Sequence, residues 1–267
     1  MDYVAQLRCD VEAFEAAARR ATQQEDNGSL CLVPSCPGWS MADLVFHLGS
    51  VHRHVIQVVS SGRRGWPQRA DRSWLRLPTG RASWPDPQRA PNHGPLPPSL
   101  LDWFREGASR LAELLAGRDP AERVWTWGRE QSVGFWQRMQ AIEAAVHRWD
   151  AENAVGSAGP LERLLAMDAV THTFEVMAPA RRRWSPAPPG QGERMRFRQS
   201  DGFGIWVVQL DTEGALLNHG TGCCHAELTA TASDLALFLW HRIPKDGLEV
   251  RGDASLLDLY FKVVPPQ

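Results

Sequence analysis

Glu143 and His147 stand one helical turn apart in the segment QRMQAIEAAVHRWDAENAVG. A carboxylate and an imidazole at i and i+4 project side by side from one helix face. A third candidate, His47, lies far upstream in CPGWSMADLVFHLG and could complete a three-ligand metal site with them. Three protein ligands with one position left for water or substrate is the arrangement of a catalytic zinc centre rather than a closed structural one. The order of residues is not the HExxH of zinc proteases, in which the Glu is a base and not a ligand. The bland alternative is a surface Glu–His pair contributing a few tenths of a kcal/mol. His52 and His54 compete with His47 for the third place, and His52 falls closer to the apolar face, where a satisfied core histidine is expected.

The elements that must position these residues follow from hydrophobic spacing. Val4, Leu7, Val11, Phe14 and Ala18 recur at helical intervals from Tyr3 to about Ala21. VPSCPGW breaks that pattern at 33–39. Ser40 then stands as an N-cap with Asp43 three residues on, ahead of Leu44, Leu48, Val51, Val55 and Val58. A third helix fits 99–116 and a fourth 132–155, where Phe135, Met139, Ile142, Val146 and Trp149 form the apolar stripe. Trp136, Gln140, Glu143, His147 and Asp150 form a second stripe that spacing sets at the boundary of the core, with Gln137, Arg148 and Glu152 on a solvent-like side. A fifth helix fits 161–177. PARRRWSPAPPGQG reads as a linker, after which MRFRQ, GIWVVQL and AELTATA alternate as strands and SDLALFLWHR and DASLLDLYFKVV return to helix. The fold class is α+β: a four- or five-helix bundle over 1–178, then a smaller α+β domain over 192–267.

Composition narrows the function. A chain of 267 residues, 43% hydrophobic and 22% charged, has the balance of a soluble globular protein, and no apolar run approaches the roughly 20 residues that span a bilayer. The N-terminus lacks the basic, then apolar, then small-residue order of a signal peptide, so a cytoplasmic location is expected. A net charge of −2 offers no attraction to nucleic acid. Cys9, Cys31, Cys36, Cys223 and Cys224 are scattered and odd in number, which argues against both a disulfide framework and a cysteine zinc site. Between 62 and 98 the chain is rich in Pro and Gly and carries seven arginines against two aspartates, with Trp66, Trp74 and Trp84 among them. It reads as a long packed loop with solvated arginines, or alternatively as a cationic flap for an anionic substrate.

CPGWSMADLVFHLGSVHRH and QRMQAIEAAVHRWDAENAVG, in this order and at this separation, resemble the N-terminal metal-binding domain of the mycothiol-dependent maleylpyruvate isomerase family, one of the DinB-like helical bundles. ASDLALFLWHRIPKDGLEVRGDASLLDLYFKVV resembles the family's second domain, of sterol-carrier-protein-like α+β type. The resemblance implies a divalent metal, usually zinc, on His47, Glu143 and His147, and so selects His47 over His52 and His54. It also implies a catalytic arginine in the second domain, which maps onto Arg242. One departure is visible: the residue before the ligand Glu is often His in the family and is Ile142 here, so the substrate pocket can differ.

The activity so implied is isomerisation or S-transfer on a small electrophile, with mycothiol, the low-molecular-weight thiol of actinobacteria, as cosubstrate. The cation would favour the thiolate. Arg242, with Arg76 or Arg81, could pair with substrate carboxylates. Asp150 reads either as a carboxylate orienting His147 or as a solvated helix-end acid. Cys36 sits where a thiolate is favoured, although a buried structural cysteine is the commoner case, and Cys223–Cys224 could in principle be redox-active. Two rival readings are a non-catalytic, small-molecule-binding or regulatory DinB-like protein, and a hydrolase with Asp150 as general base.

Overall fold

The computed structural model describes residues 1–25, 31–62, 73–212, 214–218 and 222–265. Trp66 and the arginines at 63, 64, 69 and 72 of the Pro- and Arg-rich 62–98 stretch lie outside the described residues. The chain forms two compact units, Met1–Gly159 and Pro160–Gln267.

The first unit is a four-helix bundle of α1 (Tyr3–Glu25), α2 (Met41–Ser61), α3 (Pro98–Ala116) and α4 (Val133–Ala154). α1 packs on α4 and α3, and α2 packs on α3 and α4. Ser40 and Asp43 form the expected capping box. Asp43 does more than cap: its carboxylate accepts from the Asn92 backbone N–H at 2.9 Å and the Asn92 side-chain amide at 2.5 Å. The chain around Asn92 is thereby tied to the first turn of α2. α3 begins with Pro98, whose fixed φ and missing N–H suit the first helical position. Its residues Leu100, Phe104, Ala108, Leu111 and Leu115 face the core, where Phe104 meets Phe14 of α1 with ring centroids 4.9 Å apart.

α4 departs from the amphipathic helix expected of its sequence. Gln140, Glu143, His147 and Asp150 are buried rather than at a boundary, and Arg148 is buried too. α1 and α2 cover α4 from two sides, so its polar residues need internal partners. Arg148 finds them, donating from Nε to Asp10 of α1 at 2.9 Å and from Nη1 to Glu152 at 2.5 Å.

The second unit opens with α5 (Arg163–His172), which passes through one wide π-helical turn, Thr173–Met177, into α6 (Ala178–Trp184). Pro179 has no N–H to return to the carbonyl four residues back, and the widened turn accommodates it. A five-stranded sheet follows: β1 (Arg194–Gln199), β2 (Ile205–Asp211), β3 (Gly214–Leu217), β4 (Ala226–Ala230) and β5 (Glu249–Gly252), in the order β3-β2-β1-β4-β5. β1 pairs parallel with β4 and all other neighbours are antiparallel. α7 (Ala232–Leu239) connects β4 to its antiparallel neighbour β5, and α8 (Ser255–Val263) follows β5. Met195, Phe197, Trp206, Val208, Leu210 and Leu228 are buried on one face. On the other, Glu227 accepts from Arg196 and Arg198 at 2.9 and 3.1 Å.

Two features differ from the sequence expectation. The helical segment over 163–184 packs with the sheet unit, where α5 lies on α7 and the Leu161 N–H donates to the Ser233 hydroxyl at 2.9 Å. The first half of the expected linker is therefore helix, with Arg181 buried.

Gly49 of α2 faces Trp103 of α3. A Cβ there would lie 2.3 Å from Cζ3 of Trp103, whose indole N–H donates to the Leu75 carbonyl at 3.1 Å. Gly49→Ala gains helix propensity of about 1 kcal/mol but overpacks a held indole by more. The expected outcome is a net loss of about 1–2 kcal/mol, read as a lower Tm by calorimetry or circular dichroism.

Candidate metal centre

Within the first unit, α2 contributes His47 and α4 contributes Glu143 and His147 to one cluster. Glu143 Oε1 lies 3.4 Å from Nε2 of both His47 and His147, and the three ligand atoms all fall within 4.8 Å of one another. Two imidazole nitrogens at about 2.0–2.1 Å from a tetrahedral cation would stand about 3.4 Å from a carboxylate oxygen at similar range. The observed separations suit a shared cation better than direct hydrogen bonds, which are nearer 2.9 Å. The donor set of two nitrogens and one oxygen suits zinc and similar divalent ions.

The three side chains differ in exposure: His147 is 4% exposed, Glu143 11% and His47 35%. Access to the cluster is thus from the His47 side, where the Trp39 ring packs tilted against the imidazole at 4.8 Å between centroids. His47 and His147 meet edge to face at 5.0 Å.

Asp150 settles which nitrogen of His147 faces the cluster. Its Oδ2 is 2.8 Å from His147 Nδ1, so Nδ1 carries the proton and Nε2 is directed at Glu143 and His47. The same carboxylate oxygen accepts from the Cys36 thiol at 3.4 Å. Asp150 is fully buried, which replaces the solvated-acid reading with the orienting one and leaves it unsuited to act as a general base on water. Cys36 is half-buried in the turn before α2, and Cys36, His147 and Asp150 form a second, overlapping group of ligand atoms.

The electrostatics follow from this packing. Burial opposes the charge on Glu143, but hydrogen bonds and attraction from His147 and His47 hold its carboxyl well below the usual range. Burial likewise opposes the imidazolium of His147, yet Asp150, Cys36 and Glu143 raise its pKa well above the ordinary value.

The competing histidines separate cleanly. His54 stands among Trp74, Trp125 and Trp136. His52 is fully buried against Phe104, but neither ring nitrogen has a hydrogen-bond partner among the described residues, so it is a core histidine without the satisfaction expected of one. Desolvation lowers its pKa to about 3. In the second unit, Arg242 follows α7 and donates from Nη1 to the Trp240 carbonyl at 2.7 Å. Arg81 donates to Pro78 in its own turn, and Arg76 lines a separate cleft. Cys223 and Cys224 are free thiols. Trp39 was not singled out as part of the site, although its place between Cys36 and the Ser40 cap was a usable signal.

Comparison with known families now bears on this geometry. Residues 7–152 match the mycothiol maleylpyruvate isomerase N-terminal domain, and residues 165–259 match the MDMPI C-terminal domain. The chain belongs to the mycothiol maleylpyruvate isomerase family. Among solved structures, this family member is similar to the mycothiol-dependent maleylpyruvate isomerase, with a TM-score of 0.61 and 11% identity over 94% of this chain and 93% of that one. A histidine-to-alanine mutant of that enzyme matches with a TM-score of 0.64 over the same shares and at the same identity. At that identity the likeness is one of fold, and it spans both the helical and the α+β units of the family. No curated protein sequence matches the chain. Among the described residues no helix is long and apolar enough to cross a membrane.

Asp150→Asn keeps the shape but weakens the hold on the His147 tautomer, and zinc affinity measured by competition with a chelating dye should fall about 10–100-fold. In the unaltered protein the same assay should show affinity dropping about tenfold per pH unit below the raised His147 pKa, because each ion bound must expel one proton. For His52 the folded pKa lies below the unfolded 6.5, so the unfolded chain binds the proton first and stability falls as pH drops from 6.5 towards 3. His52→Leu removes that slope: relative to the unaltered protein it should gain about 2 kcal/mol more at pH 5 than at pH 7, by denaturant unfolding.

Proposed function

We propose that this protein is a metal- and mycothiol-dependent isomerase of the maleylpyruvate isomerase type, or a thiol S-transferase if the thiol stays attached, acting on a small electrophile. The observation that carries the reading is the convergence of His47, Glu143 and His147 at separations suited to one cation, in a member of this family. His47, Glu143 and His147 would hold the ion, zinc by the preference of the donor set. When bound, it supplies positive charge that favours thiolate over thiol at neutral pH and leaves a coordination position open to substrate.

The chain's own residues do the rest. Asp150 keeps the Nδ1 proton on His147 and so holds Nε2 as a neutral donor. Glu143 offsets part of the cation's charge from a position walled off from water. His47, the exposed member, forms the mouth, and Trp39 gives that mouth an apolar side against which a thiol's carbon skeleton can pack. Arg242 is assigned the catalytic part that the family resemblance gives it, pairing with a substrate carboxylate in a geometry guanidinium favours. A thiolate adding to a double bond turns it into a single bond about which the substrate rotates, and departure of the same thiolate restores the double bond in the other configuration. A cytoplasmic setting, where such thiols remain reduced, fits this chemistry.

The test is incubation of the metal-loaded protein with mycothiol and maleylpyruvate, following loss of substrate absorbance. Turnover should require both thiol and metal, and His47→Ala and Glu143→Ala should each lose the metal and about a thousandfold or more of kcat/KM. Arg242→Ala should retain the metal and lose about 10–100-fold. Absence of turnover by the metal-loaded protein would sink the isomerase reading, and a thiol adduct detected by mass spectrometry would select the transferase.

A further inference from the structure

A second concentration of charge lies in the same unit, away from the metal-ligand cluster. Arg53 is six residues beyond His47 on α2, about 9 Å along the helix axis and on a different face. Its side chain is 3% exposed. The guanidinium lies over the Trp103 ring at 4.0 Å, and its Nη2 donates to the Trp103 carbonyl at 2.9 Å and to Glu106 at 2.7 Å. Its Nε and Nη1 are buried with no hydrogen-bond partner among the described residues. Nη1 sits against Gly107, where a Cβ would fall 1.9 Å away, so the absence of a side chain at 107 is what admits the guanidinium.

Arg53 does not stand alone. It lines a cleft of about 90 Å³ with Arg76, Arg110, Glu106, Gln57 and Trp74. A buried water needs about 10–15 Å³ on this kind of measure, so the cleft has room for a phosphate-sized group but not for a drug-sized ligand. Three arginines face one glutamate, which already serves Arg53. Arg76 and Arg110 make no ion pair among the described residues. Arg76 is held in the left-handed region at φ 48°, a conformation uncommon for residues other than Gly, Asn and Asp, with its N–H on the Ser73 carbonyl at 3.0 Å. Burial first, and then repulsion from Arg110 and Arg76, push the Arg53 guanidinium down to about 10 despite Glu106. A buried cation crowded by two more cations is a costly arrangement unless further negative charge offsets it.

We propose that the Arg53, Arg76 and Arg110 cleft binds the oxyanion end, carboxylate or phosphate, of a small metabolite at a site distinct from the metal-ligand cluster. Arg76 and Arg110 supply forked donors from the rim, Arg53 supplies fixed positive charge from the floor, and Gln57 and Trp74 form polar and aromatic walls. The site stands whether or not the His47 cluster binds a metal.

Isothermal titration at constant ionic strength, with inorganic phosphate in one arm and acetate in the other, tests this on the full chain. Saturable binding of at least one anion is expected. It should weaken about tenfold or more in the Arg76→Gln/Arg110→Gln double variant, whose altered side chains lie at the rim and whose fold is checked by circular dichroism. It should persist in His47→Ala. Binding in one arm alone identifies the source as phosphate or carboxylate. No saturable heat with either anion, equal binding by the double variant, or loss of binding in His47→Ala would each overturn the proposal.

Discussion

The hydrogen bond from His147 Nδ1 to Asp150 is the contact on which the rest of the first unit depends. Placing two carboxylates and two imidazoles inside a helical bundle is expensive unless each has an internal partner. Asp150 solves this for the deepest pair: its Oδ2 accepts from the His147 Nδ1–H and from the Cys36 thiol, and leaves Nε2 as the nitrogen of that ring directed at the cluster. The polarity of α4 then becomes intelligible. A helix with that many polar residues cannot be packed on two sides by α1 and α2 unless those residues spend their donors and acceptors on one another, as Arg148 does with Asp10 and Glu152.

Positioning extends from α4 to the loops. His47 stands less than two turns after the Ser40 cap, and the cap's acid, Asp43, is also the anchor for Asn92. The Pro-rich chain between the 3₁₀ turn at Ser73–Leu75 and α3 is therefore fastened to the helix that carries the exposed histidine of the cluster. Gly49 and Gly107 serve the same face of the bundle, each by leaving out a side chain so that Trp103 and Arg53 can fill the space.

Most of the fold was legible in the sequence because its signals are local. The Ser40–Asp43 box, the 3.6-residue stripes of α1 to α4, and the alternation of β1, β2 and β4 each report a short-range preference that tertiary packing left in place. β3 and β5 are only four residues each and carry no comparable alternation. The helix over 178–184 was hidden by Pro179 and by three successive arginines, one of which is buried against the second unit's own core. Burial of the Glu143 stripe was misjudged for a different reason. Periodicity gives the angle of a side chain about its helix but not how many neighbours surround that helix. The three residues of the cluster were accessible from spacing and family resemblance, whereas the role of Trp39 and the grouping of Arg53, Arg76 and Arg110 depend on contacts between elements that no single window contains.

The unequal exposure of the three cluster side chains has a kinetic meaning. Among the described residues Glu143 and His147 are largely closed off by packing, so an ion seated on them would enter or leave past the more exposed His47 imidazole. Swinging one partly solvated ring is a fast, local event compared with opening a bundle. Exchange of an ion at such a centre would proceed with the fold intact, and a chelator would strip it without unfolding the protein. That behaviour is the reverse of a zinc finger, whose metal is part of the structure that holds it.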